Sequence, residues 1–121
     1  MDISSLEQLA AKLSGYRFRI STEASLQEDL EKVLQSLEIP HKREFRLPGG
    51  PIDFRLGDGT GIECKVAGGA QPVLRQLRRY IGQPEITQIL LVTSKIQHLP
   101  DPNFRELGGK PILKLWVGKL T

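Results

Sequence analysis

The segment that most constrains the fold is Pro51–Val66, because its sequence PIDFRLGDGTGIECKV has the pattern of two short strands joined by a tight turn. Apolar residues alternate with polar ones in both halves, and a stretch rich in glycine and aspartate separates the halves. One face of this hairpin is expected to carry the apolar positions Ile52, Phe54, Leu56, Ile62, Cys64 and Val66. The opposite face is expected to carry two carboxylates and two cations: Asp53, Arg55, Glu63 and Lys65.

The length of the turn decides which of these side chains meet. A loop of two residues would pair positions from opposite faces, because a shift of one residue reverses every side chain. We therefore expect a loop of three residues, Asp58–Thr60, with a bulge or a positive-φ glycine in or beside it. In this register Asp53 lies across from Lys65, and Arg55 lies across from Glu63.

Two carboxylates that converge on one face of a sheet need a positive charge between them. A divalent cation with hard oxygen ligands meets this need, and Mg²⁺ takes only one or two carboxylates while keeping several waters. Asp53 and Glu63 would then be the side-chain ligands, and Lys65 would orient a water or balance charge on a phosphate. The alternative is an ordinary salt-bridged surface, on which the two carboxylates lie too far apart to share one cation.

A helix expected over about Thr22–Leu37 brings a further carboxylate toward the hairpin. Its leucines and one valine form a single apolar stripe. At about 100° per residue, Glu23 falls near the centre of that stripe, whereas Glu28 lies nearly opposite. Gln27, one turn on, flanks the same edge. Glu23 therefore either has a buried partner or simply favours the helix dipole at the helix start.

A second helix is expected from Pro72 to Ile81, with three arginines on its outer side: Arg75, Arg78 and Arg79. Gln76 borders its apolar stripe. Tyr80 belongs to the stripe, and its hydroxyl needs a polar partner there. Arginines are common on an exposed helix, but beside an acidic metal site they suit a polyanionic substrate.

Two more strands are expected around this unit. His41–Leu47 carries Glu44, which would either stand beside Asp53 or offset a neighbouring arginine. Gln88–Thr93 reads QILLVT, a continuous apolar run that predicts a central strand buried on both faces. Because a helix separates this strand from the hairpin, a right-handed crossover and local parallel pairing follow.

The two ends of the chain are expected to add smaller elements. Apolar residues at helical spacing predict a helix over Ser4–Leu13 that stops at Gly15. Tyr16–Ile20 would be a short strand or an extended arm. The proline- and glycine-rich stretch after the QILLVT run would be a loop with one turn near Asn103–Leu107, and Pro111–Val117 would be a last, edge strand.

Composition limits the classes of protein that this chain can represent. Its 121 residues suffice for one domain, residues 1–121, with a modest core. One cysteine, Cys64, and two distant histidines exclude a zinc site of the usual kind. The chain has neither an apolar run of about 18 residues nor a signal peptide, so we expect a cytoplasmic protein without a membrane segment. A net charge of +3 permits nucleic-acid binding without requiring it.

The order of these features resembles the PD-(D/E)XK nuclease superfamily. Asp53 is followed by nine residues and then by Glu63-Cys64-Lys65. The helix that begins TEASLQEDL and the later helix with QLRRY are similar to segments of small phage, repair and Holliday-junction-resolving members. The resemblance covers about residues 22–94. One departure is that Ile52, rather than proline, precedes Asp53, with Pro51 one place earlier.

The resemblance implies an α/β, restriction-endonuclease-like fold with an αβββαβ core, a mixed sheet, an extra N-terminal helix and a C-terminal edge strand. It implies a nuclease, most simply a DNA endonuclease, in which Asp53, Glu63 and the main-chain carbonyl of Cys64 hold Mg²⁺ or Mn²⁺. Lys65 would position or deprotonate the attacking water, and Glu23 would support that water or a second ion. The remaining candidates are Gln76 at the substrate edge and, as secondary positions, Gln27, Glu44 and Tyr80.

DNA would be the partner, and it would be bound in the nucleoid by Arg55, Arg75, Arg78 and Arg79. Because one small domain has little surface to grip a duplex, a homodimer is expected. The chief rival function is an inactive module of the same fold that only binds DNA or a partner protein. Such a module would show neither metal-dependent cleavage nor metal-dependent stabilisation.

Overall fold

The computed structural model describes residues 3–98 and 105–118, and this part of the chain forms three helices and six strands. Their bounds are α1 Ser4–Ser14, α2 Glu23–Ser36, β1 His41–Leu47, β2 Gly50–Leu56, β3 Thr60–Lys65, α3 Ala70–Ile81, β4 Gln88–Thr93, β5 Glu106–Leu107 and β6 Lys110–Trp116. The class is α/β with a mixed sheet, and the elements follow the order that the sequence predicts up to β4.

The strands form one sheet in the order β1-β2-β3-β4-β6-β5. Neighbours from β1 to β3 are antiparallel, whereas β3, β4 and β6 run parallel to one another. Helix α3 makes the crossover between β3 and β4, as a parallel pair requires. This topology places the ends of β3 and β4 side by side, with Lys65 paired to Thr93.

Both faces of the sheet are covered. Helices α1 and α2 pack their leucines on one face, and α3 packs on the other. Every residue of β4 is buried, which confirms the prediction of a central strand for QILLVT. None of the helices in the described ranges is long and apolar enough to cross a bilayer.

The predicted helices are confirmed, with small differences at their ends. Thr22 caps α2 by accepting a hydrogen bond from the Ser25 N–H at 3.0 Å. Gly15 follows the last residue of α1, as expected. Helix α3 begins at Ala70, two residues before the predicted Pro72.

The β2–β3 turn has the predicted odd length, but the predicted register is wrong by two residues. The loop is 57–59, and the observed pairs are Phe54–Ile62 and Arg55–Gly61. Gly59 has a φ of 92°, and a Cβ there would meet the Thr87 side chain at 2.8 Å. Thr87, far away in sequence, donates its main-chain N–H to the Gly59 carbonyl oxygen at 2.9 Å and its hydroxyl to the Asp58 carbonyl oxygen at 3.1 Å, and these bonds hold the turn and the register of the strands.

The expected single apolar face of the hairpin is also wrong. Ile52 packs in the α3 layer, whereas Phe54, two residues on, packs in the layer of α1 and α2. Strand β1 changes face at the same place, because Arg43 contacts α2 and Phe45 packs in the α3 layer. Helices cover both faces of the sheet, so the hairpin must supply apolar side chains to both layers. The regular alternation of side chains between the two faces is interrupted where this switch occurs.

The remaining differences lie at the chain ends. Tyr16–Ile20 forms no strand. The predicted turn near Asn103–Leu107 lies partly outside the described residues, and its last two residues form β5. Strand β6 lies between β4 and β5, so the predicted edge strand has a short partner at its beginning.

Candidate active site

Asp53 and Glu63 lie where β2 and β3 cease to pair, directly beyond the Phe54–Ile62 pair. Each carboxylate takes a hydrogen bond from the main chain of the other strand. The Asp53 N–H donates to Glu63 Oε1 at 3.1 Å, and the Cys64 N–H donates to Asp53 Oδ2 at 2.8 Å. The two carboxyl groups are close enough for the charge of Asp53 to add to burial in raising the pKa of Glu63. The reading of these residues as ordinary, separated surface charges is therefore wrong.

Burial makes both carboxyl groups weaker acids than usual. Glu63 is only 2% exposed, and Asp53 is half-buried. Burial, followed by the charge of Asp53, raises the pKa of Glu63 to about 8. Burial also raises the pKa of Asp53, against the opposing effect of the Cys64 N–H. Without a cation, the pair therefore retains a proton at neutral pH.

Lys65 lies two residues along β3 from Glu63 and on the same side of the strand. Its Nζ is 3.9 Å from Glu63 Oε2, a separation that gives charge attraction without a tight hydrogen bond. The side chain is 19% exposed, so the ammonium group lies at the boundary between the buried pair and solvent. It is thus placed to contact a water or a phosphate beside the carboxylates.

Tyr80 and Gln76 of α3 close the other side of Glu63. The Tyr80 hydroxyl is 3.2 Å from Glu63 Oε2 and 2.8 Å from the Pro51 carbonyl oxygen, and the Gln76 amide donates to it at 2.8 Å. Because the hydroxyl has one hydrogen, it can donate to only one of these two oxygens, and the shorter contact is with Pro51. Burial, then the charge of Glu63, raises the pKa of Tyr80 to about 12. Gln76 thus reaches the site through Tyr80.

Helix α2 supplies the third wall. The Gln27 side chain lies beside Asp53 and opposes the rise that burial causes in the pKa of that carboxyl. The charge of Glu23 raises the pKa of Cys64, which places Glu23 on the side of α2 that faces the hairpin. Glu28 instead pairs with Arg19 at 3.2 Å on the outer side. Glu23 is half-buried and Glu28 is exposed, as the helix period predicts, and the role of Glu23 at the site stays a prediction.

The predicted arginines do not all lie near the carboxylates. Arg55 donates to the Glu85 carbonyl oxygen at 2.9 Å and lies over the Phe45 ring, away from Asp53. Arg79 lies over the Tyr80 ring, 5.4 Å from its centroid, and packs so closely on Gly49 that a Cβ there would be 2.6 Å from Arg79 Cδ. The other two, Arg75 and Arg78, are exposed on the outer side of α3.

Glu44 and the Cys64 thiol do not extend the acidic pair. Glu44 occupies the register position that faces Asp53, but it is exposed and its φ of 52° lies in the left-handed region. The Cys64 side chain is fully buried, and burial raises its pKa well above the usual value. Within the described residues no group of three or more His, Cys, Asp and Glu side chains could hold a metal ion.

Three residues of this region were not found from the sequence: His98, Thr93 and Arg43. His98 is fully buried, with Nδ1 2.8 Å from Thr93 Oγ1 and Nε2 2.9 Å from the Gly68 carbonyl oxygen. It thereby anchors the loop that leaves β3 after Lys65. No local pattern indicates this role, because His98 lies in a stretch with the composition of a loop.

The donor set fits a hard divalent cation. Two carboxylates are the number that Mg²⁺ commonly takes, and these two lie close enough that the charge of Asp53 adds to burial in raising the pKa of Glu63. Mn²⁺ accepts the same oxygen ligands. Comparison of the chain with models of protein families, with curated proteins and with solved structures gives no match.

Proposed function

We propose that this chain is a divalent-metal-dependent nuclease of the PD-(D/E)XK type that acts on DNA as an endonuclease. The observation that carries the proposal is the meeting of Asp53 and Glu63 where β2 and β3 separate, with the Lys65 ammonium 3.9 Å from Glu63. Buried carboxylates in contact are costly for stability, so their presence beside a partly exposed lysine favours a functional site.

Asp53 and Glu63 are the proposed metal ligands, together with the main-chain carbonyl of Cys64. When bound, Mg²⁺ or Mn²⁺ would neutralise charge on the scissile phosphate and lower the pKa of a water. The main-chain N–H groups of Cys64 and Asp53 hold the two carboxylates in place before any ion arrives. This preorganisation is what a catalytic constellation requires.

Lys65 would hold the attacking water and stabilise the negative charge that develops as this water loses its proton, because its ammonium group lies between the carboxylates and solvent. Glu23 would support the same water from α2. Tyr80, held by Gln76, would keep Glu63 in position and would remain a neutral phenol. Unassisted phosphodiester hydrolysis is so slow that these effects together must remove on the order of 20 kcal/mol of barrier.

The phosphates would be bound by three arginines of α3: Arg75, Arg78 and Arg79, the last of which packs on Gly49 in the β1–β2 turn. In this proposal the fold is restriction-endonuclease-like, the active form is a homodimer, and the protein is cytoplasmic and associated with DNA. Sedimentation at concentrations used for cleavage would test the dimer, since a monomer that cuts DNA contradicts it.

The test is incubation of the purified protein with Mg²⁺ and labelled linear, branched and single-stranded DNAs. We expect cleavage of at least one substrate, no cleavage with a chelator, and none with Asp53→Asn purified in parallel. Equal cleavage by wild type and Asp53→Asn would indicate a contaminant and would contradict the assignment. Folded wild-type protein that binds DNA and leaves every substrate intact would instead favour the inactive binding module.

A further inference from the structure

A chain of polar contacts on the α2 side of the sheet ends at the Asp53 carboxylate. It begins at His41, whose Nε2 is 2.9 Å from Glu31 Oε2. Glu31 Oε1 accepts a hydrogen bond from Arg43 at 3.1 Å, and the same guanidinium donates to Gln27 Oε1 at 3.4 Å. Gln27 in turn lies beside Asp53 and opposes the rise that burial causes in the pKa of that carboxyl.

The chemistry of the donors fixes the direction of this chain. A guanidinium group can donate but cannot accept, so the oxygen of the Gln27 amide must face Arg43. The amide nitrogen then faces Asp53, whose carboxylate is an acceptor. A flipped amide would direct its oxygen at the carboxylate and leave Arg43 facing an NH₂ group. Arg43 therefore selects the orientation of Gln27 that supports an ionised Asp53.

Arg43 is itself held by two side chains, Phe54 and Glu31. It pairs with Phe54 across the β1–β2 ladder, one residue from Asp53, and its guanidinium lies 5.9 Å from the centroid of the Phe54 ring. Glu31 holds it from α2, and the His41 ring that contacts Glu31 also meets the Phe54 ring edge-on at 5.9 Å. Arg43 is an exposed residue, with 34% of its side chain accessible, so these contacts hold a cation at the surface on the α2 side of the hairpin.

The change of strand face at Glu44 makes this arrangement possible. With regular alternation, Arg43 would share a face with Phe45 and would point toward α3. The left-handed backbone of Glu44, with a φ of 52°, separates the two residues onto opposite faces. A strained residue at this position thus has a structural consequence, since it brings a cation to the α2 side of Asp53.

We propose that Arg43, anchored by Glu31, is a positioning residue that orients the Gln27 amide against Asp53 and thereby tightens cation binding at the carboxylate pair. The effect on cations rests on the proposed function, whereas the orientation of Gln27 does not depend on it. Residues that orient metal ligands from behind typically change metal affinity by about 10- to 100-fold when they are lost.

The experiment compares Arg43→Met, Gln27→Met, the double variant, Arg43→Lys and the control Arg46→Met, which removes an exposed arginine from the same strand. Two quantities are measured. The first is the Gln27 side-chain amide resonance of the metal-free protein, assigned by its absence in Gln27→Met. The second is the dissociation constant for Mn²⁺, obtained from the electron paramagnetic resonance signal of the free ion.

We expect Arg43→Met to shift the Gln27 amide resonance and to weaken Mn²⁺ binding about tenfold or more. Arg43→Lys keeps a cation that can only donate, so its Gln27 amide resonance and its Mn²⁺ affinity should stay close to those of wild type. Because Arg43 acts through Gln27, the double variant should bind Mn²⁺ as Gln27→Met does. Additive losses, or an Arg43→Met protein indistinguishable from Arg46→Met in both measurements, would overturn the inference. If wild type binds no Mn²⁺, the proposed function fails, and the amide resonance alone then decides whether Arg43 orients Gln27.

Discussion

The main-chain N–H of Asp53 donates to the Glu63 carboxylate at 3.1 Å, across the gap where two antiparallel strands stop pairing. The Cys64 N–H returns the contact by donating to Asp53 at 2.8 Å. In a regular ladder these N–H groups would bond to main-chain carbonyls. Here the two acidic side chains replace those partners, so the same contacts that end the ladder also fix the carboxylates.

Lys65→Met should abolish cleavage and leave the fold intact. The ammonium group is the only part of the side chain that the substitution removes from the site, and methionine keeps a similar apolar stem. We expect a loss of at least about 10²- to 10⁴-fold in single-turnover rate, the range for a group that transfers or positions a proton. Lys42→Met, which removes an exposed lysine from β1, is the control and should cut normally. Equal rates for the two variants would remove Lys65 from the mechanism.

Tyr80→Phe tests the support of Glu63 from α3. The substitution keeps the ring but removes the hydroxyl that contacts Glu63, Pro51 and Gln76. We expect the free energy of unfolding to fall by about 1 to 2 kcal/mol in a urea titration, together with slower cleavage. Tyr16→Phe, at an exposed tyrosine, should change neither quantity. If Tyr80→Phe has wild-type stability, the hydroxyl contacts contribute nothing to the fold.

The pKa values predict how the stability of the metal-free protein depends on pH. The pKa of Glu63 rises from 4.5 to about 8 on folding, so the folded chain binds more protons than the unfolded chain between these values. Stability should therefore be greatest below about pH 4.5 for this group and should fall as the pH rises toward 8. The raised pKa of Asp53 acts in the same direction.

Glu63→Gln should flatten this dependence, because the amide does not ionise. With chelator present, the unfolding free energy of wild type should fall between pH 5 and pH 8, whereas that of Glu63→Gln should change much less. The difference between the two proteins should therefore shift by on the order of a few kcal/mol in favour of the variant. Parallel curves for the two proteins would show that Glu63 titrates normally.

Paired glycine substitutions test the turn that sets the register. Gly59→Ala should cost about 1 to 3 kcal/mol, because its φ of 92° is strained for alanine and the new Cβ would meet Thr87 at 2.8 Å. Gly57→Ala, in the same turn but with no atom within 4 Å of the new Cβ, should change stability by less than about 0.5 kcal/mol. Similar losses at both positions would contradict the observed turn. Thermal or urea unfolding measures both.

Local patterns in the sequence were sufficient to predict α2, the buried strand Gln88–Thr93 and the side of α2 that carries Glu23. In each of these, the side chain environment follows from a period of about 3.6 residues or from an unbroken apolar run. The order of the elements around the hairpin was predictable for the same reason.

The register of the hairpin was not predictable, because it depends on Thr87, which lies beyond α3 in the sequence and contacts Gly59 only after folding. The change of face at Asp53 was hidden for a related reason. Alternation predicts one buried face, but here helices cover both. The contacts of Arg43 with Glu31 and Gln27 follow from the matching change of face at Glu44 and could not be foreseen without it.

The central claim is that Asp53 and Glu63 together bind one divalent cation, and calorimetric titration with Mn²⁺ at pH 7 tests it most directly. Titrations in two buffers of different ionisation enthalpy would count the protons released. We expect a single binding event in wild type that releases up to about one proton, since the ion displaces the proton that the pair retains, and no binding in Asp53→Asn. Binding of unchanged affinity in Asp53→Asn, or none in folded wild type, would contradict the account.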